Sequence, residues 1–438
     1  TRTTAFAPAL STNFTFAKQE MDDYQRYAYQ NAMQFIHFKD AHVTTNRELI
    51  KTVQRCSLIR SLFEIVAIGD TYPDLANNAL QSGRLQDLTA CVGKQASSSS
   101  DGEETREDKQ GQDDTKMRSW RVRLRQYGEL AREDKQGQYG KKMRSPMKLE
   151  REAIYQMKDL FIEFKGPVDL ENADVSLYLF EGLDLSNLNL SEETKGGDNQ
   201  NVSSANSKKV LARLVTRGAN TSIIAPKTRI CITNTPLCPL AAFTMCNVAR
   251  IQPNHKIFDP FAGSCAILLA AAMIEPTVKS VGVEIAHNGQ VNREDILRDF
   301  ISRNLTVPSS IIRGDSMSEG VRSEARAAVA IEGDDNEGFD AIITDPPYGI
   351  REKTGFCVDS PLVNLAKCIA QDREKGDRLL KLGGRLVAFV PNQAGDDICV
   401  DMPSEDDLRE AGLEFVQMLE QPLNDSLSRW LVEYKCVL

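Results

Sequence analysis

The chain changes rhythm along its length. Up to about residue 93 it has the texture of a folded module. Its clearest apolar run, Ser57 to Ala67, is bounded by the turn-like Gly69-Asp-Thr-Tyr-Pro73, and the pattern predicts a small α+β module over 1–93. Residues 94–118 hold almost no apolar side chains and are rich in Ser, Gly and charge; such a segment does not repay the entropy of ordering and is expected to be a disordered insertion. The segment Ser119-Trp-Arg-Val-Arg-Leu-Arg125 alternates at period two and predicts a strand with one buried and one basic face. An amphipathic helix follows over Met147 to Phe164, then a turn at Gly166-Pro167 and strands at Val175–Phe180 and Val210–Val215. A polar Asn/Ser-rich loop separates these two strands over 183–207.

From about Lys227 onward short apolar strands alternate with helical stretches. Ile257-Phe258 precedes Asp259, Ser280–Val283 precedes Glu284, Ile311-Ile312 lies before Asp315, and Ala341–Thr344 precedes Asp345; Gly384–Phe389 follows. This alternation predicts a parallel, doubly wound, Rossmann-like α/β sheet. Two late strand candidates, Glu414–Leu419 and Arg429–Val437, predict an antiparallel hairpin at its edge.

At 438 residues the chain calls for two or three domains, and the pattern divides it into 1–93, the insertion 94–118, a region 119–226, and an α/β domain 227–438. Hydrophobic residues at 41% and charged residues at 26% are ordinary globular values. No stretch approaches the roughly 20 apolar residues of a membrane span, so no membrane association is expected. The opening segment lacks the layout of a secretory signal. Ten scattered cysteines without a C-x-x-C pair, and only four histidines, point to reduced thiols in an intracellular, cytoplasmic protein and to no metal site.

The net charge of −9 hides a local reversal: from Lys116 to Glu152 twelve basic residues face five acidic ones, with Trp120, Tyr127 and Tyr139 interleaved. That composition suits phosphates and stacked bases, and equally a solvated basic face. Its candidate RNA-binding residues are Trp120, Arg121, Arg123, Arg125, Lys141, Lys142 and Arg144. Within the same stretch, Arg132–Gln138 repeats Arg106–Gln112, each copy followed by Lys-Met-Arg-Ser, which is a local duplication rather than a repeat array.

Candidate chemistry concentrates at the strand ends of the α/β domain, where open sheets bind their ligands. Asp259-Pro-Phe-Ala-Gly-Ser-Cys265 opens a helix; Gly263 lets a ligand approach the backbone, and Glu284 is placed to accept from ribose hydroxyls, Asp315 from an adenine amino group. Asp345-Pro-Pro-Tyr-Gly349 is the most specific element, since such a tetrapeptide arises by chance in about one chain of this length in several hundred. Two prolines stiffen the loop and remove two donors, leaving the Asp345 carboxylate and the Pro346 carbonyl as acceptors for the two N–H groups of an aromatic amine. Pro347 completes the rigid pair, and Tyr348 offers a face for a base taken out of its stack.

Asp345-Pro-Pro-Tyr-Gly-Ile-Arg-Glu352 with Asp259-Pro-Phe-Ala-Gly263 resembles the tRNA guanine-N2 methyltransferases that act on guanosine 10, the eukaryotic catalytic subunit in particular. Trp120-Arg-Val-Arg-Leu, Gly140–Arg144 and Val168–Asp174 are similar to that family's THUMP RNA-binding region, and Arg55–Arg60 with Tyr72–Leu75 resembles its amino-terminal module. The resemblance implies a class I methyltransferase domain after a THUMP-type α+β region, S-adenosylmethionine as methyl donor, a tRNA substrate, N2-methylguanosine as product, and a small zinc-binding activator subunit as partner. It extends the cofactor-binding set to Asp259, Phe261, Gly263, Glu284, Asp315, Asn234 and Thr235, and the catalytic set to Asp345, Pro346, Pro347 and Tyr348. Two departures stand out: the usual Gly-Thr-Gly is Gly263-Ser264-Cys265, and Thr233-Asn-Thr-Pro-Leu237 replaces a Gly-x-Thr-Ser-Met type segment. Asp-Pro-Pro-Tyr also serves adenine and cytosine amino-methyltransferases of DNA, and a noncatalytic RNA-binding subunit on the same fold is a third reading. The basic 120–144 segment and the Gly-Ile-Arg-Glu extension favour tRNA; the intact acidic residues favour catalysis.

Overall fold

The computed structural model describes residues 2–8, 34–38, 47–85, 117–127, 146–183, 185, 208–233, 235–285, 291–330, 338–348, 360–393, 398–424 and 427–438, the first two segments by backbone alone. The chain forms two compact units: the first takes in Thr1–Pro8, Asp22–Val53 and Ile59–Arg217, the second Ala9–Met21, Gln54–Leu58 and Gly218–Leu438.

The first unit is built on a six-stranded sheet. Its strands are β1 (Arg2–Pro8), β2 (Gln34–Phe38), β3 (Ile59–Gly69), β4 (Trp120–Gln126), β5 (Val175–Glu181) and β6 (Lys209–Arg217), in the order β2-β1-β3-β6-β5-β4. Strands from before residue 94 and from after residue 118 thus share one sheet, and the compact unit runs to Arg217 where the chain pattern suggests 226. Among its described strand pairs only β4–β5 is parallel. The helix after Gly69 starts where Thr71 accepts from the Asp74 amide and Asp74 reaches back to the Thr71 amide, a capping box that satisfies two orphan donors.

The period-two reading of β4 holds: Trp120, Val122 and Leu124 pack into one cluster with Leu177, Phe161 and Phe164, while the arginines take the alternate positions. The single amphipathic helix expected over 147–164 is instead two, Pro146–Gln156 and Lys158–Phe161, with Met157 at the break out of helical geometry (φ −108°, ψ 22°). Buried Met157, Phe161 and Phe164 all join the cluster under Trp120. Gly166 is required by close approach, since a Cβ there would lie 1.9 Å from the Arg118 carbonyl oxygen.

The second unit is a seven-stranded sheet of β7 (Lys256–Asp259), β8 (Lys279–Glu284), β9 (Ser310–Arg313), β10 (Phe339–Thr344), β11 (Leu380–Gln393), β12 (Leu413–Asn424) and β13 (Leu427–Cys436). The order is β12-β13-β11-β10-β7-β8-β9. Strands β11, β10, β7, β8 and β9 are parallel, and β13 and β12 close the edge as the expected antiparallel hairpin. The inner positions of the parallel strands β7, β8 and β10 are buried on both faces, because both are covered. Neighbouring residues go to opposite clusters: Ile343, Val387, Phe389 and Leu431 pack with helices Pro239–Val248 and Ala266–Ile274, whereas Ile342, Leu386, Ala388 and Val432 pack with helix Pro361–Glu374. Among the described residues no helix is long and apolar enough to cross a membrane.

Trp120 tests the first unit's packing. Its ring stacks on Phe161 (centroids 5.4 Å apart, planes 4° from parallel) and its Nε1–H donates to the Gly166 carbonyl at 2.9 Å. Trp120→Ala should cost about 3 kcal/mol of unfolding free energy, read by denaturant titration; a loss below about 1 kcal/mol would mean that the ring is not part of the core.

Candidate functional site

The site follows from strand order. Between β7 and β10 the order reverses, so the chains leaving their carboxyl ends diverge and open a crevice. Register pairs Ala341 with Ile257 and Ile342 with Phe258, Asp259 with Gly282, and Glu284 with Arg313. The strand-end residues Asp345, Asp259, Glu284 and Asp315 therefore come from four adjacent strands along one edge.

Asp259 is only 1% exposed. Its Oδ1 accepts from Thr344 Oγ1 at 2.8 Å and from the Phe261 amide at 3.2 Å, so its carboxylate ties the end of β10 to the loop after β7. Both contacts shape the loop. Burial pushes its carboxyl up to about 7, against the lowering hydrogen bonds from Thr344 and Phe261, and nearby Asp345 and Glu284 push the same way as burial.

Gly263 has φ +51°, and a Cβ there would lie 3.6 Å from Thr233 Cγ2 and 3.9 Å from Glu284 Oε2. The glycine thus lines a cradle between the 230s segment and β8. Cys265 is left-handed too (φ 61°), at the amino terminus of the Ala266–Ile274 helix, and its side chain is fully buried. The residue replacing the usual second glycine keeps the backbone path and points its thiol inward; burial raises that thiol above its ordinary range. Glu284 is half-buried, and Gly314 donates to its carbonyl at 3.1 Å, which brings the β9 turn alongside. Asp315 is exposed and accepts from the Met317 amide at 2.9 Å.

The segment before Thr233 is held from below. Asp299, fully buried, accepts from the Ile230 and Cys231 amides at 2.8 and 3.0 Å, and Arg303 pairs with it at 2.9 Å. Buried Arg229 donates to the Ser264 carbonyl, joining this segment to the Gly263 loop. Neither Arg229 nor Asp299 stands out in the sequence, because buried ion pairs leave no periodic signal. Phe261 is half-buried, Thr235 is exposed, and Asn234 lies outside the described residues.

Past Thr344, Pro346 is buried while Asp345, Pro347 and Tyr348 are half-buried. The Asp345 carboxylate is already engaged: Tyr348 donates its hydroxyl to Oδ1 at 2.5 Å, and Arg429 Nη1 lies 3.5 Å from Oδ2 and 3.1 Å from the Tyr348 hydroxyl. Burial raises the Asp345 carboxyl above its ordinary value, while Arg429 and the Tyr348 hydrogen bond pull it down. Tyr348 is therefore a hydrogen-bond partner of Asp345 as well as an aromatic face. Burial and then the Asp345 charge raise its phenol. Arg429 of β13 is the partner absent from the sequence-based candidates; its one signal is a basic residue inside a strand otherwise bound for the core.

The basic candidates belong to the first unit. Trp120 is half-buried, with one face of its ring stacked on Phe161. Arg121 donates to the Ser176 hydroxyl and to the Leu170 and Glu171 carbonyls at 2.8–2.9 Å, and Arg123 to Leu170 and Glu150 at 3.1 and 3.3 Å. Arg125 is exposed; Lys141, Lys142 and Arg144 lie outside the described residues, as do both copies of the duplicated segment, residues 94–116 and Gly349–Glu352.

Residues 226–360 match the model of the RMKL-like methyltransferase domain, in accord with the class I topology. The chain is 30% identical over 201 residues to the tRNA (guanine(10)-N(2))-methyltransferase of Xenopus laevis, covering 44% of this chain and 39% of that protein. It is 28% identical over 300 residues to the enzyme of the same name from Gallus gallus, covering 62% and 60%. The chain thus spans between about two-fifths and three-fifths of the length of these curated relatives. Among solved structures it is similar to TrmN from Thermus thermophilus, with 15% identity, a TM-score of 0.39 and 99% of each chain covered. The family that the motifs resemble is the one named for these curated relatives.

Asp259 provides a test in stability. Its carboxyl titrates higher in the folded than in the unfolded chain, so its contribution favours folding below the unfolded value near 4 and is lost as pH rises through about 7. Asp259→Asn removes that dependence. The variant's Tm should gain on the wild type between pH 5 and pH 8; a difference in Tm that is flat across this range would contradict a buried, proton-retaining Asp259.

Proposed function

We propose that the protein transfers a methyl group from S-adenosylmethionine to the exocyclic N2 amino group of guanosine 10 in tRNA. The observation that supports this most is the convergence of Asp345-Pro-Pro-Tyr348 and the Asp259–Gly263 loop at the strand-order reversal, locked together by the Thr344–Asp259 hydrogen bond. The names of the curated relatives supply the acceptor: a guanine amino group in tRNA.

The Gly263 cradle fits the methyl donor. It offers backbone without a Cβ, and Glu284 beside it can accept from ribose hydroxyls, with Asp315 at the next strand end for an adenine amino group. When bound, the donor supplies an electrophilic methyl on sulfonium. The chain's own task is to hold the target nitrogen in line. The lone pair of a guanine amine is delocalised into the ring, and acceptors on both N–H groups draw it back toward the attacking geometry. Asp345 takes one N–H and the Pro346 carbonyl the other, on a loop stiffened by Pro346 and Pro347, and the proton that the nitrogen gives up on gaining the methyl group passes to the Asp345 carboxylate. The incoming N–H replaces the Tyr348 hydroxyl at Oδ1, which frees the Tyr348 ring to stack on the base.

For the acceptor, the exposed Arg125 of β4 and the basic residues Lys141, Lys142 and Arg144 supply charge for phosphate contacts in a THUMP-like region over 119–226. A small zinc-binding activator as partner subunit and a cytoplasmic location go with this reading.

Two measurements test it. Incubation with unmodified tRNA and labelled donor, with and without a small zinc-binding activator, should yield N2-methylguanosine by nucleoside mass spectrometry, with a loss of at least about a hundredfold for Asp345→Ala. Transfer to DNA but not to tRNA would replace the acceptor, and donor binding without transfer to either would overturn the assignment. Separately, Gly263→Ala should weaken donor binding by calorimetry at least about tenfold while costing only about 1 kcal/mol of stability for the left-handed backbone. Unchanged affinity would place the donor elsewhere.

A further inference from the structure

Arg429 sits in the closing hairpin, far in sequence from every motif of the site, yet its side chain reaches the most specific of them. Three contacts fix it. Its Nε–H donates to Gln421 Oε1 at 2.8 Å, its guanidinium lies over the Phe389 ring at 3.8 Å from the centroid, and its Nη1 faces Asp345 and the Tyr348 hydroxyl. The strands account for this convergence: Gln421 of β12 pairs directly with Arg429 of β13, and Arg429 pairs with Pro391 of β11, two residues from Phe389 on the same face. At 6% exposure the guanidinium has little access to water, so its charge acts on Asp345 with little screening.

We infer that Arg429 is a positioning residue for methyl transfer, holding the Asp345 carboxylate ionised and aimed as an acceptor. The inference rests on the proposed amino-methyl transfer. A carboxylate that must accept an N–H is useful only in its anionic form, and burial works against that form while Arg429 favours it. Among the described residues, the charged or titratable groups facing Asp345 are Arg429 on β13, the Tyr348 phenol in its own loop, and Asp259 on β7. Of these only Arg429 carries positive charge. The aryl face under the guanidinium and the Gln421 side-chain carbonyl hold Arg429 in one direction, so the arrangement is preorganised rather than a surface ion pair.

The test is a double-mutant cycle of Arg429→Gln and Asp345→Asn, with Arg429→Lys as the charge-preserving variant, read by kcat and KM against pH and by Tm against pH. Arg429→Gln should lower kcat at neutral pH at least about tenfold with KM for tRNA changed less than about threefold, and should move the acid limb of the kcat profile to higher pH. Arg429→Lys should restore the position of that limb while recovering only part of kcat. In stability, Arg429→Gln should cost more Tm at pH 9 than at pH 5 when Asp345 is intact, and the same at both when it is combined with Asp345→Asn. An acid limb that does not move, or a stability cost independent of Asp345, would overturn the inference and leave Arg429 a packing residue. Should the wild-type protein methylate no nucleic acid, the proposed reaction fails, but the stability cycle still decides whether Arg429 governs the Asp345 charge.

Discussion

The second unit depends on the pairing of β10 against β7. Those two strands are far apart in the chain, and setting them side by side is what reverses the strand order and parts the loops above them. The Thr344–Asp259 hydrogen bond, fully buried, ties the two strand ends at the point where they separate. A buried carboxylate that satisfies one hydroxyl and one amide gives the Asp259 loop and the Asp345 loop a common origin. Each loop then needs only short-range instructions: a left-handed glycine in one and two prolines in the other.

The same crowding sets the electrostatics. Asp259, Glu284 and Asp345 crowd a site that excludes much of its water, and burial penalises the charged form of the two that are most enclosed. Their outcomes differ because their partners differ. Asp259 meets neutral donors, which offset part of the desolvation and leave its carboxyl near neutrality; Asp345 meets a guanidinium and a phenol, which favour its anion. Two aspartates at the ends of adjacent strands are thereby given opposite electrostatic surroundings, neutral donors around one and a cation beside the other.

Much of this was legible in the chain. The alternation of β4, the apolar strands of the α/β sheet and the hairpin at its edge follow from periodicity, since burial on one or both faces writes directly into the spacing of apolar residues. The strand-end acids were legible because each stands at the carboxyl end of its strand or within two residues of it. What escaped was long-range. Arg429 reaches Asp345, and Asp299 holds the backbone of Ile230 and Cys231, across separations that local pattern does not record. The packing of Trp120 was hidden for a related reason: a tryptophan amid arginines has the composition of a nucleic-acid surface, and the contact of its ring with Phe161 and Phe164 beneath β4 is not recorded in local pattern. The single helix expected over 147–164 likewise yields at Met157 to tertiary packing, which overrides a weak propensity signal.

Cys265 shows how a motif letter can depart from its pattern without loss of the geometry behind it. A left-handed backbone at a non-glycine residue costs about 1–2 kcal/mol, and the surroundings must hold it there. Here the Ala262 amide donates to the Val283 carbonyl of β8 at 2.8 Å, and the Cys265 amide to the Ala262 carbonyl at 2.6 Å, so the loop is pinned to β8 just before Gly263 and closed on itself just after it. The thiol is buried in the cluster formed with Ala241, Leu268 and Ile343, where its contacts offset part of the strain. At Gly263 a Cβ would meet Thr233 and Glu284 only at ordinary contact distance, so what the packed protein asks of this position is its left-handed backbone. The two positions differ in where a side chain goes: among packed apolar residues at Cys265, and into the space between Thr233 and Glu284 at Gly263.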